Sequence, residues 1–282
     1  MALDRTIRRL VPSLPPLTRN PVAMLPLDAV DRVLNWPWRE LRGLPPNRMR
    51  LRVGVQNRLL FNGFGFRTTG VHFWMGVLAR RHARLDSRVL DLGSGCGRFA
   101  MPLRDHNFYG QRFRGEYLGV DIDSEMLAWC RRHFDQRFAW HDAGRASATY
   151  RPRGAGDDSA PLRLPLDDAS RDLALANSLF SHLLEQDFVQ YVAEAARVVR
   201  AGGWFYLTVF VREHVASGGR LGDRWTFPYR RGAAHLESER YPEAAVAYDE
   251  SWVRRVLAAA GLGAIRMAPT AAQTMIWCRR EA

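Results

Sequence analysis

The sequence predicts an α/β fold, a doubly wound and mostly parallel sheet with helices on both faces. Three observations carry that expectation. From residue 87 onward short apolar runs alternate with segments of helical period, the first run ends in an acid followed by glycines at alternate positions, and the next two runs also end in acids. A chain of 282 residues with 47% hydrophobic content can bury one such domain and still carry decoration. The division expected is an N-terminal arm and cap over 1–86, then one domain over 87–282 with an insertion at 211–248.

Residues 1–50 contain Pro12, Pro15, Pro16, Pro21, Pro26, Pro37, Pro45 and Pro46, a density that predicts short helices separated by turns. Leu25, Leu27, Val30, Val33, Leu34, Trp36 and Trp38 can form one amphipathic stretch. Packing over the domain is the first expectation for it, and contact with a membrane or nucleic acid the second. Phe61 to Phe66 reads as an aromatic loop. Gly70 to Arg84 reads as a helix with Val71, Trp74, Met75 and Leu78 on one face, placed to cover the mouth of a site.

Ser87 to Leu92 is the first strand. It leads into Gly93-Ser94-Gly95-Cys96-Gly97, where glycines let the backbone turn tightly and approach a ligand, and a helix follows from Arg98. The spacing lacks the longer gap of the dinucleotide fingerprint. The second strand, Tyr117 to Val120, ends in Asp121-Ile122-Asp123. An acid at that strand end can accept hydrogen bonds from both hydroxyls of a ribose, so Asp121 is the candidate, ahead of Asp123. Ser124 is the expected N-cap of the next helix. The third strand, Arg137 to His141, ends in Asp142-Ala143, where a carboxylate can meet an adenine amino group.

A polar connection over 144–163 precedes the fourth strand, Leu173 to Ser178. Phe188 to Val199 reads as a helix with Val189, Val192, Ala195, Ala196 and Val199 inward, closed by Arg200-Ala201-Gly202-Gly203, and Trp204 to Phe210 is the fifth strand. After the insertion come a helix at Ser251 to Ala260 and two strands, near Ile265 to Met267 and Thr274 to Trp277, forming a terminal antiparallel hairpin.

The series Asp91-Leu92-Gly93-Ser94-Gly95-Cys96-Gly97, Gly119-Val120-Asp121-Ile122, His141-Asp142-Ala143, Leu164-Pro165-Leu166 with Asp172-Leu173, and Arg200-Ala201-Gly202-Gly203 resembles the class I S-adenosylmethionine (SAM)-dependent methyltransferases from residue 88 to the end. Arg200-Ala201 departs from a commoner lysine-proline pair at that turn. Trp129-Cys130, Tyr150 to Gly154 and Phe180 to Leu183 resemble a bacterial branch acting on small molecules or sugars.

The resemblance implies a Rossmann-like sheet of seven strands in the order 3-2-1-4-5-7-6, the last strand antiparallel. It implies SAM as cofactor, S-adenosylhomocysteine as product and no metal. Asp91, Gly93, Ser94 and Gly95 would line the methionine moiety, and Asp121 would hold the ribose. Ile122 would pack on the adenine, Asp142 and Ala143 would hold its amino edge, and Asn177 would offer its carbonyl to the ammonium group. Arg98 reads as a helix-surface arginine, with the cofactor carboxylate as its alternative partner.

Methyl transfer asks for a nucleophile held in line with the sulfonium in a site closed to water, and a hydroxyl acceptor also asks for a base. His182, just past the fourth strand, is the first candidate; His214 and Glu213 are the second, and His72 is the third. No proline follows Asn177-Ser178, unlike the exocyclic-amine enzymes, and no cysteine is placed for cytosine chemistry. A small-molecule acceptor methylated on oxygen is the function expected.

All 41 basic residues are arginine, and the net charge is +12, as codon bias or an acidic partner would explain. The first 60 residues hold eleven arginines against Asp4, Asp28, Asp31 and Glu40, so an RNA-modifying or RNA-binding protein is the alternative, and a cofactor-binding scaffold without catalysis is a third reading. Nucleic acid is the less expected partner. Cys96, Cys130 and Cys278 fit neither a disulfide framework nor a zinc site, no apolar run is long enough to span a membrane, and a cytoplasmic protein is expected.

Overall fold

A computed structural model describes residues 20–53, 60–145, 162–215, 225–270 and 273–282. The Tyr150 to Gly154 motif, most of the 144–163 connection and the arginines of residues 1–19 lie outside the described residues. The strands are β1 (Arg88–Leu92), β2 (Glu116–Asp121), β3 (Phe138–Asp142), β4 (Arg171–Ala176), β5 (Val199–Val211), β6 (Tyr229–Arg231), β7 (Ala234–Leu236), β8 (Val246–Tyr248), β9 (Leu262–Pro269) and β10 (Thr274–Arg280). The helices are α1 (Pro21–Asn35), α2 (Asn47–Arg52), α3 (Gly63–Ala79), α4 (Ala100–Asp105), α5 (Ser124–His133), α6 (Glu185–Val198), α7 (Arg212–Val215) and α8 (Glu250–Ala259).

The main sheet runs β3-β2-β1-β4-β5-β10-β9, with β1 to β5 parallel and β10 antiparallel to both of its neighbours. That is the expected seven-strand order. The described strands number ten because the insertion adds β6, β7 and β8, joined to the sheet where β8 pairs with the tip of β5.

Alternation along the strands sorts side chains into two layers. Leu90, Leu92, Val120, Ala174, Phe205 and Leu207 pack with Phe188 and Val192 of α6 and Leu257 of α8. Val89, Tyr117, Leu173, Leu175 and Tyr206 pack on the other face with Trp74 and Val77 of α3 and Leu127 of α5.

Several boundaries differ from the sequence expectation. Phe61 to Phe66 is no loop, since α3 starts at Gly63, and its inward face is Phe66, Gly70, Trp74 and Val77 while Met75 is exposed. The reason is contact. Trp74 donates Nε1–H to the Phe99 carbonyl at 2.7 Å, and a Cβ on Gly70 would stand 2.5 Å from the Arg98 carbonyl, so this face lies on backbone.

Asp123, not Ser124, caps α5, accepting from the Met126 N–H. On α6 the inward residues include Phe188, Tyr191, Val192 and Ala195, and Val189 is exposed. Arg200 to Gly203 lies inside β5 rather than closing the helix.

The largest difference is in the arm. α1 is 15 residues long and runs through Pro26, where short helices were expected. Asn20 caps it through two backbone N–H groups, and Pro21 sits in its first turn, where a missing N–H costs nothing. Pro26 has no N–H to give the preceding turn, a loss offset by tertiary bonds on the inward face. There Asp31 and Asn35 are buried, Arg50 of α2 bonds Asp31 at 2.6 Å, and Arg48 bonds Asp28.

Candidate cofactor and acceptor site

The carboxyl ends of β1, β2, β3 and β4 converge on one edge of the sheet. Gly93, Gly95 and Gly97 have φ of 72°, 53° and 80°, the left-handed region that L side chains rarely adopt, so all three alternate glycines are needed by the turn. The N–H groups of Gly93 and Ser94 both bond the Val120 carbonyl, at 2.8 and 3.0 Å, which fastens the loop to β2.

Asp121 sits under this loop. Its Oδ2 accepts from the Gly95 N–H at 2.7 Å, and its Oδ1 accepts from the N–H groups of Ile122 and Asp123 at 2.8 and 2.9 Å. Burial pushes its pKa up, against the pull of those three N–H groups. Asp142 stands beside it in register on β3, with its side chain accepting from the Gly144 N–H at 2.8 Å. Ala143 bonds back to the Asp121 carbonyl at 3.0 Å. The structure therefore brings Asp91, Gly93, Ser94, Gly95, Asp121, Ile122, Asp142 and Ala143 to one edge, with Asn177 beyond the end of β4.

Asp91 is fully buried and takes a hydrogen bond from the Tyr117 hydroxyl to Oδ2. Its Oδ1 has no hydrogen-bond partner, and neither do the buried Ser94 Oγ and Arg98 Nε. Burial raises the Asp91 pKa to about 7; the Tyr117 hydrogen bond and Arg98 oppose the rise, and Asp121 adds to it.

Arg98 corrects an expectation. It is buried beside the loop rather than spread on a helix surface, because α3 covers its backbone, and burial lowers its pKa. Buried polar atoms are usually paired; open ones also occur away from the loop, as at Asp31 Oδ1 and Arg171 Nε, but here an acid oxygen, a hydroxyl and a guanidinium N–H stand open together, as a ligand with charges of both signs would need. A zwitterionic amino-acid moiety fits that donor set.

The arm closes over the loop. Arg52 bridges Asp123 at 3.0 Å and also bonds Glu125, and a Cβ on Gly95 would stand 2.5 Å from Val53 Cγ1. Toward the acceptor side, a shallow recess too tight to hold a water molecule lies where the end of β4 meets β5, between α3 and β10, lined by Phe73, Asn177, Tyr206, Thr208 and Met275 among others.

Beside it runs a polar chain that sequence reasoning missed. Ser178, at φ 62°, bonds Thr208 Oγ1 through its N–H at 2.7 Å, and Gln273 joins Ser178 to Ser181. Small polar residues following a strand were its available signal.

The candidate bases have these places. His182 Nδ1 lies 2.9 Å from the Glu243 carbonyl, so Nδ1 carries the proton and Nε2 is the basic nitrogen; burial holds its pKa below the usual range, against that carbonyl. His214 lies between Thr274 and Glu250, and Glu213 accepts from the Glu250 N–H at the start of α8. His72 points to solvent from α3. None of His182, His214, Glu213 and His72 lines the recess. The three cysteines are free and buried, and among the described residues no three His, Cys, Asp or Glu side chains group to hold a metal.

Residues 90–207 match the protein family described as a methyltransferase domain. An arsenite methyltransferase of Aquipseudomonas alcaligenes is 35% identical over 124 residues, which are 43% of this chain and 32% of that protein. The chain thus spans about a third of that relative's length.

Among solved structures, the methyltransferase in complex with the Haloferax volcanii Trm112 methyltransferase activator has a TM-score of 0.52 at 20% identity, covering 77% of this chain and 93% of that one. A protein of Pyrococcus horikoshii has a TM-score of 0.53 at 18% identity, covering 76% and 91%. At such identities the likeness is one of fold.

Proposed function

We propose, for a chain that carries a class I SAM-dependent methyltransferase domain, that it methylates a hydroxyl of a small molecule, a natural product or sugar. The observation that carries the reading is the set of open buried atoms, Asp91 Oδ1, Ser94 Oγ and Arg98 Nε, at a triple-glycine loop flanked by Asp121 and Asp142.

SAM, when bound, supplies a methyl group already activated by its sulfonium. Asp91 would pair with the ammonium and Arg98 with the carboxylate of the methionine half, with Asn177 offering its carbonyl. Asp121 would accept from the ribose hydroxyls, Ile122 would pack on the adenine, and Asp142 with Ala143 would hold its amino edge. The acceptor would approach over the mostly apolar surface of Phe73, Thr208 and Met275, and the recess there would have to open to admit it. His182, just past β4, would be the base only if the site rearranges, since it stands outside the recess and is held by the Glu243 carbonyl.

In the arm, Arg48, Arg50 and Arg52 are spent on Asp28, Asp31, Asp123 and Glu125, so these three are not offered to phosphate. Calorimetric titration with SAM, followed by turnover on a panel of hydroxyl, amine and thiol acceptors, tests the reading. Micromolar binding with methylation of hydroxyl compounds is expected. Binding with transfer only to RNA would overturn the acceptor assignment, and no binding would overturn the whole.

A further inference from the structure

Helices on the surface of a water-exposed protein turn their apolar side chains inward. α1 does the reverse. Val22, Leu25, Val33 and Trp36 form one outward stripe along it, and Val22 and Val33 are 79% and 72% exposed. The stripe continues past the helix end. Trp38 meets Phe64 of α3 edge to face, with ring centroids 5.5 Å apart, and Trp36, Trp38, Phe61 and Phe64 are all exposed. Scattered exposed apolar residues need no explanation, whereas a continuous stripe of this kind marks a contact surface.

The charges around it are sorted. Both acids of α1, Asp28 and Asp31, point inward onto Arg48 and Arg50. Arg32, Arg39 and Arg42 border the stripe, with Glu40 the acid among them. Arg42 lies over the Trp36 ring at 4.7 Å and donates to the Trp36 carbonyl.

An apolar face, indoles at one end and a cationic border are what a helix lying in a bilayer interface requires. The apolar side chains sink to the acyl boundary, the indoles sit at headgroup level, and the arginines meet lipid phosphates. None of the described helices is long and apolar enough to cross a membrane, so such a contact lies in the plane.

We propose that the outer face of α1, with Trp36, Trp38 and Phe64, is a docking surface for an anionic lipid bilayer. An RNA would engage the arginines and leave Val22, Leu25 and Val33 without use. A second copy of the chain would bring two cationic borders together. Only the bilayer matches both the stripe and its border. Arg48 bonds Asp28 of α1 and Glu125 of α5 together, which ties the docking helix to the helix that follows Asp121.

Flotation of the full chain with vesicles of phosphatidylcholine and phosphatidylglycerol in equal amounts, and with phosphatidylcholine alone, tests the proposal. Binding to the anionic vesicles is expected, with a blue shift of tryptophan emission and a decline as salt rises. The double substitution Leu25→Glu with Val33→Glu should lower the bound fraction roughly tenfold or more while the melting temperature and SAM affinity stay unchanged. Absence of flotation by the unmodified chain would overturn the proposal. So would vesicle binding that the double substitution leaves intact, or a dimer in sedimentation that the substitution dissociates without any vesicle binding.

Discussion

The cofactor loop and the N-terminal arm both bury charged side chains, and they pair them within the chain to different degrees. In the arm, each nitrogen of Arg50 donates, to Asn62, the Pro45 carbonyl and Asp31, at 2.7, 2.9 and 2.6 Å, and the open atoms beside it, Asp31 Oδ1 and Arg52 Nε, belong to side chains that are ion-paired. At the loop, Asp91 and Arg98 each keep a buried polar atom open. Pairing within the chain makes a buried charge structural, and an open valence on a rigid edge makes it a receptor. The two regions should therefore fail differently when cut, one losing stability and the other losing ligand.

Arg50→Leu gives the largest expected effect. It strands the Asp31 carboxylate in a buried site, which costs about 3–5 kcal/mol and should appear as a lowered urea midpoint. A loss under about 1 kcal/mol would erase the contrast between the regions.

Next comes Asp91→Asn, which removes one charge-assisted bond of about 1.5–3 kcal/mol and should weaken SAM binding roughly 10- to 100-fold by titration calorimetry. It should leave the unliganded fold as stable as before at neutral pH, because a buried carboxylate no longer has to ionise.

The same residue sets a pH dependence. With its folded pKa raised to about 7, Asp91 keeps a proton that the unfolded chain has already released. Stability of the unliganded protein therefore falls as pH rises from about 4 toward 7 and then levels off. Affinity for the cofactor's ammonium group should rise through the same upper range, and Asp91→Asn should flatten that rise.

Gly70→Ala sharpens the comparison from α3, since the added Cβ meets the Arg98 carbonyl at 2.5 Å and Pro102 Cγ at 2.8 Å. About 1–3 kcal/mol of stability should be lost, together with affinity, because the loop itself must shift. The smallest effect is expected from Arg52→Ala, where one partner, Glu125, is a third exposed. Cofactor dissociation in stopped flow should quicken about two- to fivefold at low salt and less at high salt.

The sheet order and the meeting of Asp91, Asp121 and Asp142 were legible because glycine spacing and strand-end acids are local signals. Arg98 was not, since its burial depends on Gly70 and Trp74 of a helix far upstream. Nor was the orientation of α1. Its leucines, valines and tryptophans suggest an inward face, yet Asp31 and Asn35 face inward because Arg50, 19 residues from Asp31, is there to meet the acid. The polar chain through Ser178, Thr208 and Gln273 joins residues of three different strands or their ends, distant in sequence, and no spacing rule reaches across them.

β5 is shared property. Trp204 to Leu207 pair with both β4 and β10, while Phe210 and Val211 at its tip pair with Ala247 and Tyr248 of the insertion. Opening β8 like a flap would tear a ladder that continues into the core, so this part of the insertion is a fixed wall. The arm, by contrast, is tied over the loop by ion pairs rather than by a backbone ladder, so of the two it is the element that side-chain chemistry alone can loosen.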